Sequence, residues 1–225
     1  MTTTKAFWED PYRTTLETTV AAVDGADVRL AATIFYAEAG GQESDAGTID
    51  GRPVQRARRE DLDLVYTLDA AHGLAPGDAV VVAIDWDRRY RLMRLHFAAE
   101  VVLELAYRTL PAVDKTGAHI SADKARIDFA WERNIAEHFP RWLSDAHALI
   151  AADRAIVSAY ADRAAERRYW EVEGFARVPC GGTHLRRTGE VGPLELKRRN
   201  VGRGRERVEI RLARPDAVAP LNAGA

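Results

Sequence analysis

The sequence predicts an α+β protein, with a small N-terminal β-barrel over residues 1–87 and an α+β domain over 88–225 that carries an antiparallel sheet and one long helix. Three observations lead there. Short alternating apolar runs fill Thr14 to Trp86, the apolar period lengthens to three or four after Trp86, and the tail alternates again on both sides of a glycine turn.

In the first part TTLETTVAAV, DVRLAATIFY, GTID, RPVQRARR, DLDLVYTL and DAVVVAID are strand-like. Asp24-Gly25, Gly40-Gly41, Asp50-Gly51 and Pro76-Gly77-Asp78 punctuate them. Closure into a barrel is inferred from the number of strands and the need to hide sheet edges; an open sheet with one covered face fits the same pattern. After Trp86, Leu92, Leu95, Ala99, Val102, Ala106 and Leu110 recur three or four apart until Pro111, which predicts a helix. GAHISADKARIDFAW alternates as strands do. Pro140 to about Ala152 predicts a helix with proline in its first turn, RAIVSAY a strand, and Asp162 to Tyr169 a third helix. LELKRRNVGRGRERVEIRL predicts two strands joined around Gly202-Arg203-Gly204, followed from about Pro215 by a loose end.

Composition bounds the function. The 225 residues are 47% hydrophobic and 29% charged, as in a folded chain with ordinary cores, which argues against disorder, collagen and coiled coil. A net charge of −2 gives no global attraction to nucleic acid, so any basic surface must be local. No window approaches the roughly 18 apolar residues of a membrane span, and MTTTKAFWEDPYRTT lacks the apolar core of a signal peptide. With a single cysteine, Cys180, these features predict a cytoplasmic protein with no membrane partner.

Two short patterns carry candidate chemistry. His96 and Glu100 are four apart on the expected long helix, so both side chains reach one face a turn apart. Cys180 and His184 are four apart in PCGGTH, where proline and two glycines predict a tight loop able to fold a thiolate and an imidazole around one ion. Alone, each pattern is ordinary. Together they form a His, Glu, Cys, His set, and one sulfur with two nitrogens favours Zn over Mg or Ca. Cys180 as a nucleophile with His184 as its base ranks below metal binding. His72, His119, His138 and His147 lack partners at ligand spacing and are expected at the surface or in packing.

Basic residues cluster locally. Between Arg186 and Arg211 lie nine Lys or Arg against four Glu, a net of +5, and Arg88, Arg89, Arg91 and Arg94 precede His96. Such patches suit phosphate contacts. In FYAEAGGQESDAGTI, Gly40-Gly41 permits backbone conformations closed to other residues, and Gln42 offers both a donor and an acceptor.

FYAEAGGQESDAGTI, DWDRRYRLMRLHFAAE, RIDF and PCGGTHLRRTGEVG together resemble the AlaX-type alanyl-tRNA editing proteins, relatives of the editing domain of alanyl-tRNA synthetase, over most of the chain. The resemblance implies a β-barrel domain, an α+β editing domain shared with threonyl-tRNA synthetases, bound zinc, and ATP-independent hydrolysis of Ser- or Gly-tRNA(Ala) at the acceptor end. With it, His96, Cys180 and His184 are expected as zinc ligands, Gln42 and Thr183 beside the aminoacyl group, and Gln42, with Glu100, as a candidate catalytic residue. Arg88, Arg89, Lys197, Arg198 and Arg199 are the candidates for holding tRNA. The family carries His-x-x-x-His on its helix, whereas this chain has Glu100 in the second position, either as fourth ligand or as a carboxylate that orients water. A zinc hydrolase of another ester or amide, and a tRNA-binding protein without catalysis, are the alternatives this substitution leaves open. A monomer or a homodimer fits.

Overall fold

The computed structural model describes residues 2–213; the loose end expected from about Pro215 lies outside them. The chain forms two compact units, one of Met1–Met93, Tyr160–Arg168 and Cys180–Thr183, the other of Arg94–Ala159, Tyr169–Pro179 and His184–Ala225.

The first unit holds β1 (Thr4–Lys5), β2 (Thr15–Asp24), β3 (Asp27–Leu30), β4 (Ala32–Thr33), β5 (Gly47–Ile49), β6 (Arg52–Pro53), β7 (Arg56–Glu60), β8 (Asp63–Thr67) and β9 (Ala79–Ile84). β1 and β4 form a parallel pair. The others form one antiparallel sheet in the order β6-β5-β9-β2-β3-β8-β7. β2 pairs with β9 through Thr15–Thr19 and with β3 through Val20–Asp24, with a register irregularity between Val20 and Ala22. The strand passes there from one half of the sheet to the other, and the sheet curls. The outermost strands, β6 and β7, are separated in the chain only by Val54 and Gln55. Val54 N donates to Gly47 O at 3.0 Å and Gln55 N to Thr67 O at 2.9 Å. Alternation buries Val28, Leu30, Ile49, Tyr66 and Val82 inside the curl, and the Tyr66 hydroxyl donates to Phe35 O at 2.8 Å.

Helix α1 (Trp86–Thr109) begins at Asp85, whose carboxylate accepts from Arg88 N at 3.0 Å as a cap should. It ends before Pro111, which cannot continue it. The sequence periodicity indicates one apolar face, but the helix is buried on nearly all sides from Leu92 to Val102, His96 included. It is a core helix rather than a surface one.

After α1 the chain continues with β10 (Asp114–Ile120), β11 (Ala125–Ala130), α2 (Phe139–Ala151), β12 (Val157–Asp162), β13 (Arg167–Val172), β14 (Ala176–Pro179), β15 (Leu194–Asn200) and β16 (Arg205–Leu212). All belong to the second unit except the stretch Tyr160–Arg168, which carries the end of β12 and the start of β13. Pro140 sits in the first turn of α2, as expected. The sheets run β10-β11-β16-β15 and β12-β13-β14. Where a third helix is expected over Asp162 to Tyr169, the chain instead ends β12 at Asp162, turns over 163–166 and begins β13 at Arg167. Asp162 Oδ1 accepts from Ala165 N at 3.0 Å and Glu166 adopts a left-handed φ of 50°. Arg168, Trp170 and Val172 alternate inward along β13. Turn chemistry and a period of two outweigh the helix propensity of the alanines and arginines. No helix of the described residues is long and apolar enough to cross a membrane.

Candidate functional site

α1 carries His96 and Glu100 one turn apart, with Nε2 of the buried imidazole 3.3 Å from Oε1 of the carboxylate. The ring of His184 meets that of His96 edge-on, with centroids 5.2 Å apart. Cys180 precedes His184 by four residues, and one ligand atom from each of His96, Glu100, Cys180 and His184 lies within 4.8 Å of the others. The two short sequence patterns thus supply a donor group that can hold a metal ion.

Backbone contacts fix the loop that carries Cys180. Its N–H donates to Arg168 O at 3.0 Å, the Trp8 indole donates to Gly181 O at 2.8 Å, and Arg168 donates to Trp8 O at 3.1 Å. Gly182 N reaches Cys180 Sγ at 3.4 Å. On the other side of His184, Ser158 Oγ lies 3.2 Å from Nδ1. If Nδ1 is the N–H donor of that bond, Nε2 carries the lone pair that a metal needs. No periodicity or motif marks Ser158 in the sequence; only the pairing of chain segments places it there.

The Gly40-Gly41 segment is a two-residue hairpin. Ala39 and Gln42 exchange backbone hydrogen bonds at 3.2 and 3.0 Å, and the glycines have φ of 60° and 85°, conformations that side chains resist. The turn drives Gln42 fully inward, where its Nε2 donates to Thr183 Oγ1 at 3.3 Å. Nearby, burial pushes the Tyr36 phenol well above its ordinary range, and the charges of Cys180 and Asp45 add to the shift.

The arginines before His96 do not form a free basic patch. Arg89, expected to hold tRNA, is fully buried. It makes two hydrogen bonds to the Asp45 carboxylate and others to Ile34 O at 2.6 Å and Pro11 O at 3.0 Å, so it cannot reach a phosphate. Arg88 binds Glu43 at 2.7 Å and Ser44 O at 3.1 Å, and Arg94 binds Val191 O. Lys197 and Arg199 are exposed on β15, whereas Arg198 turns to the opposite side and pairs with buried Glu206. The other histidines pack or lie on the sheet. His72 bridges Gly25 and Leu74, His147 accepts from Leu194 N, His138 stacks on Trp142, and His119 sits on β10.

Comparison with known proteins finds relatives over nearly the whole chain. Residues 171–209, which include Cys180 and His184, match the family described as the threonyl and alanyl tRNA synthetase second additional domain. Over 92% of its length the chain is 30% identical to an alanyl-tRNA editing protein AlaX-M of Pyrococcus horikoshii, covering 97% of that protein. It is 32% identical to one from Methanosarcina barkeri, with the same two coverages. It is also 33% identical to an alanine–tRNA ligase of Ignicoccus hospitalis, of which it spans 26%.

Proposed function

Since the chain belongs to the AlaX-M family of alanyl-tRNA editing proteins, we propose that it removes serine or glycine from mischarged tRNA(Ala), acting in trans at the acceptor end. The observation that carries this reading is the convergence of His96, Glu100, Cys180 and His184 on one point. Zinc fits that donor set. Bond lengths of about 2.0–2.3 Å give tetrahedral donor–donor edges of roughly 3.3–3.8 Å, within a small side-chain adjustment of the separations present. Bound zinc would supply positive charge that polarises the ester carbonyl and makes a water more acidic.

The residues divide the remaining tasks. Hydrolysis breaks the bond between the aminoacyl carbonyl carbon and the ribose oxygen; water adds its oxygen to the carbonyl, and a proton passes to the leaving ribose oxygen. His96, Cys180, His184 and Glu100 hold the ion, with Glu100 as fourth ligand in preference to a water-orienting base. A spacing of 3.3 Å from His96 supports that choice, being an ordinary edge of such a site. Gln42 and Thr183, joined by their hydrogen bond, offer an amide and a hydroxyl to the aminoacyl group. Arg88, Lys197 and Arg199 are the remaining candidates for phosphate contact, and the cytoplasm is the proposed compartment.

A closed barrel over residues 1–87, followed by an editing domain over 88–225, belongs to the same reading. The short Val54-Gln55 link between the outermost strands of the curled sheet supports closure.

The test is deacylation of Ser-tRNA(Ala), Gly-tRNA(Ala) and Ala-tRNA(Ala) with and without chelator. Hydrolysis of the first two, lost on chelation and restored by zinc, is expected. Hydrolysis of none of them by zinc-loaded protein would overturn the reading and point to another ester or amide.

A further inference from the structure

The sheet β10-β11-β16-β15 has two unlike faces. Ala125, Ile127, Phe129, Val208 and Ile210 point inward and are buried. On the opposite face the registers align charged residues in rows across the strands. His119, Arg126, Glu209 and Lys197 form one row, and Gly117, Asp128, Arg207 and Arg199 the next. Lys124, Arg205 and Arg211 flank them, as do Asp114 and Glu195, which makes seven cations and four carboxylates. The face therefore carries +3 on a chain whose total is −2.

Depth separates the two signs. The side chains of Asp128 and Glu209 are only 17% and 6% exposed, against 29% for Arg207, 32% for Arg126, 35% for Lys124 and 54% for Arg199. Asp128 and Glu209 form the floor of the two rows and the cations the rim, while Asp114 and Glu195 are exposed at the margins. Arg207 grips Asp128 through two hydrogen bonds, at 2.6 and 3.0 Å, and Arg126 binds the same carboxylate. Lys124 binds Glu209 at 2.6 Å. The Lys124 bond holds Glu209 below the usual carboxylate range, with the charges of Arg199 and Arg211 acting in the same direction. Each anchored guanidinium keeps further N–H groups directed away from its carboxylate, so little side-chain freedom is left to lose on binding an anion. Arg207 and Arg199 face each other on neighbouring strands whose backbones lie about 4.8 Å apart. Lys197 and Arg199, like Arg205 and Arg207, are two residues or about 6.6 Å of backbone apart on one strand, so several cations lie close enough to meet neighbouring phosphates of one nucleic-acid strand.

We infer that this face of the sheet is a docking surface for the phosphate backbone of an RNA stem, with the substrate tRNA as its occupant. The inference rests on the proposed editing activity for the identity of that RNA, while its test is independent of hydrolysis.

The experiment measures binding of uncharged tRNA across a salt series. Lys197→Gln/Arg199→Gln/Arg211→Gln should weaken binding by more than about tenfold at 0.1 M salt and flatten the log–log salt slope by roughly 2. Glu195→Lys, which leaves every anchoring pair intact, should tighten binding and steepen the slope by about 1. A matched variant of exposed arginines elsewhere, Arg56→Gln/Arg141→Gln/Arg167→Gln, should leave the slope unchanged. Unchanged binding in the first two variants would overturn the assignment, as would an equal loss in the matched variant. Because uncharged tRNA has no ester, a failure here leaves the deacylase reading standing, and failed deacylation leaves this result standing.

Discussion

Arg89 and Arg91 stand two residues apart in one basic run, and nothing in the sequence separates them. In the structure Arg91 is exposed, while Arg89 is sealed against Asp45. Removing one partner of a buried ion pair strands the other charge, so Arg89→Ala should cost about 3–5 kcal/mol in chemical denaturation, against under about 0.5 kcal/mol for Arg91→Ala. The metal-binding candidates were more legible, because ligand spacing on a helix and in a glycine loop follows directly from residue order. Their partners were not, since Ser158 approaches His184 only through tertiary pairing. Ser158→Ala should weaken zinc affinity by roughly tenfold or more in competition with a chromophoric chelator, and Ser158→Thr should recover most of it. For Glu100→Ala, the ligand assignment predicts reduced zinc by elemental analysis; full zinc with lost deacylation would make Glu100 the water-orienting base instead.

Among the elements, α1, α2 and the paired strands of the tail are readable because their apolar periods are long and a proline or glycine marks a boundary: Pro111 after α1, Pro140 in the first turn of α2, and Gly202 and Gly204 between the strands. The expected third helix is absent because Asp162 and Glu166 encode a turn whose signal in the sequence is weaker than that of the surrounding alanines. Pairing between distant strands is also invisible in sequence, and Gly47 illustrates the cost. A β-carbon there would lie 2.1 Å from Ala83 O on the neighbouring β9, a backbone atom that cannot step aside. Gly47→Ala should therefore force β5 away from β9 and destabilise the unit by about 1–3 kcal/mol, measured as a lower denaturation midpoint with little change in m-value.

For the molecule as a whole, titration sets the limits of stability. Hydrogen bonds from Arg58 and Thr67 lower the Asp27 carboxyl from 3.8 to about 2. Burial alone would raise Asp128, but Arg207 and Arg126 hold it below its usual range. Groups depressed in the folded state stabilise above their unfolded pKa and lose that contribution as pH falls through the folded value, so the midpoint should drop between about pH 4 and 2. Burial raises the phenols of Tyr36 and Tyr66, whose neutral forms stabilise the fold until pH climbs past about 10. Thermal melts across pH should show a plateau between these arms. The indole of Trp8, bound to Gly181 beside Cys180, gives the fold an optical gauge of its own. Ion binding at the proposed site would pull on that carbonyl and alter the polarity around a fluorophore, so emission lost in Trp8→Phe should track loading without any attached dye.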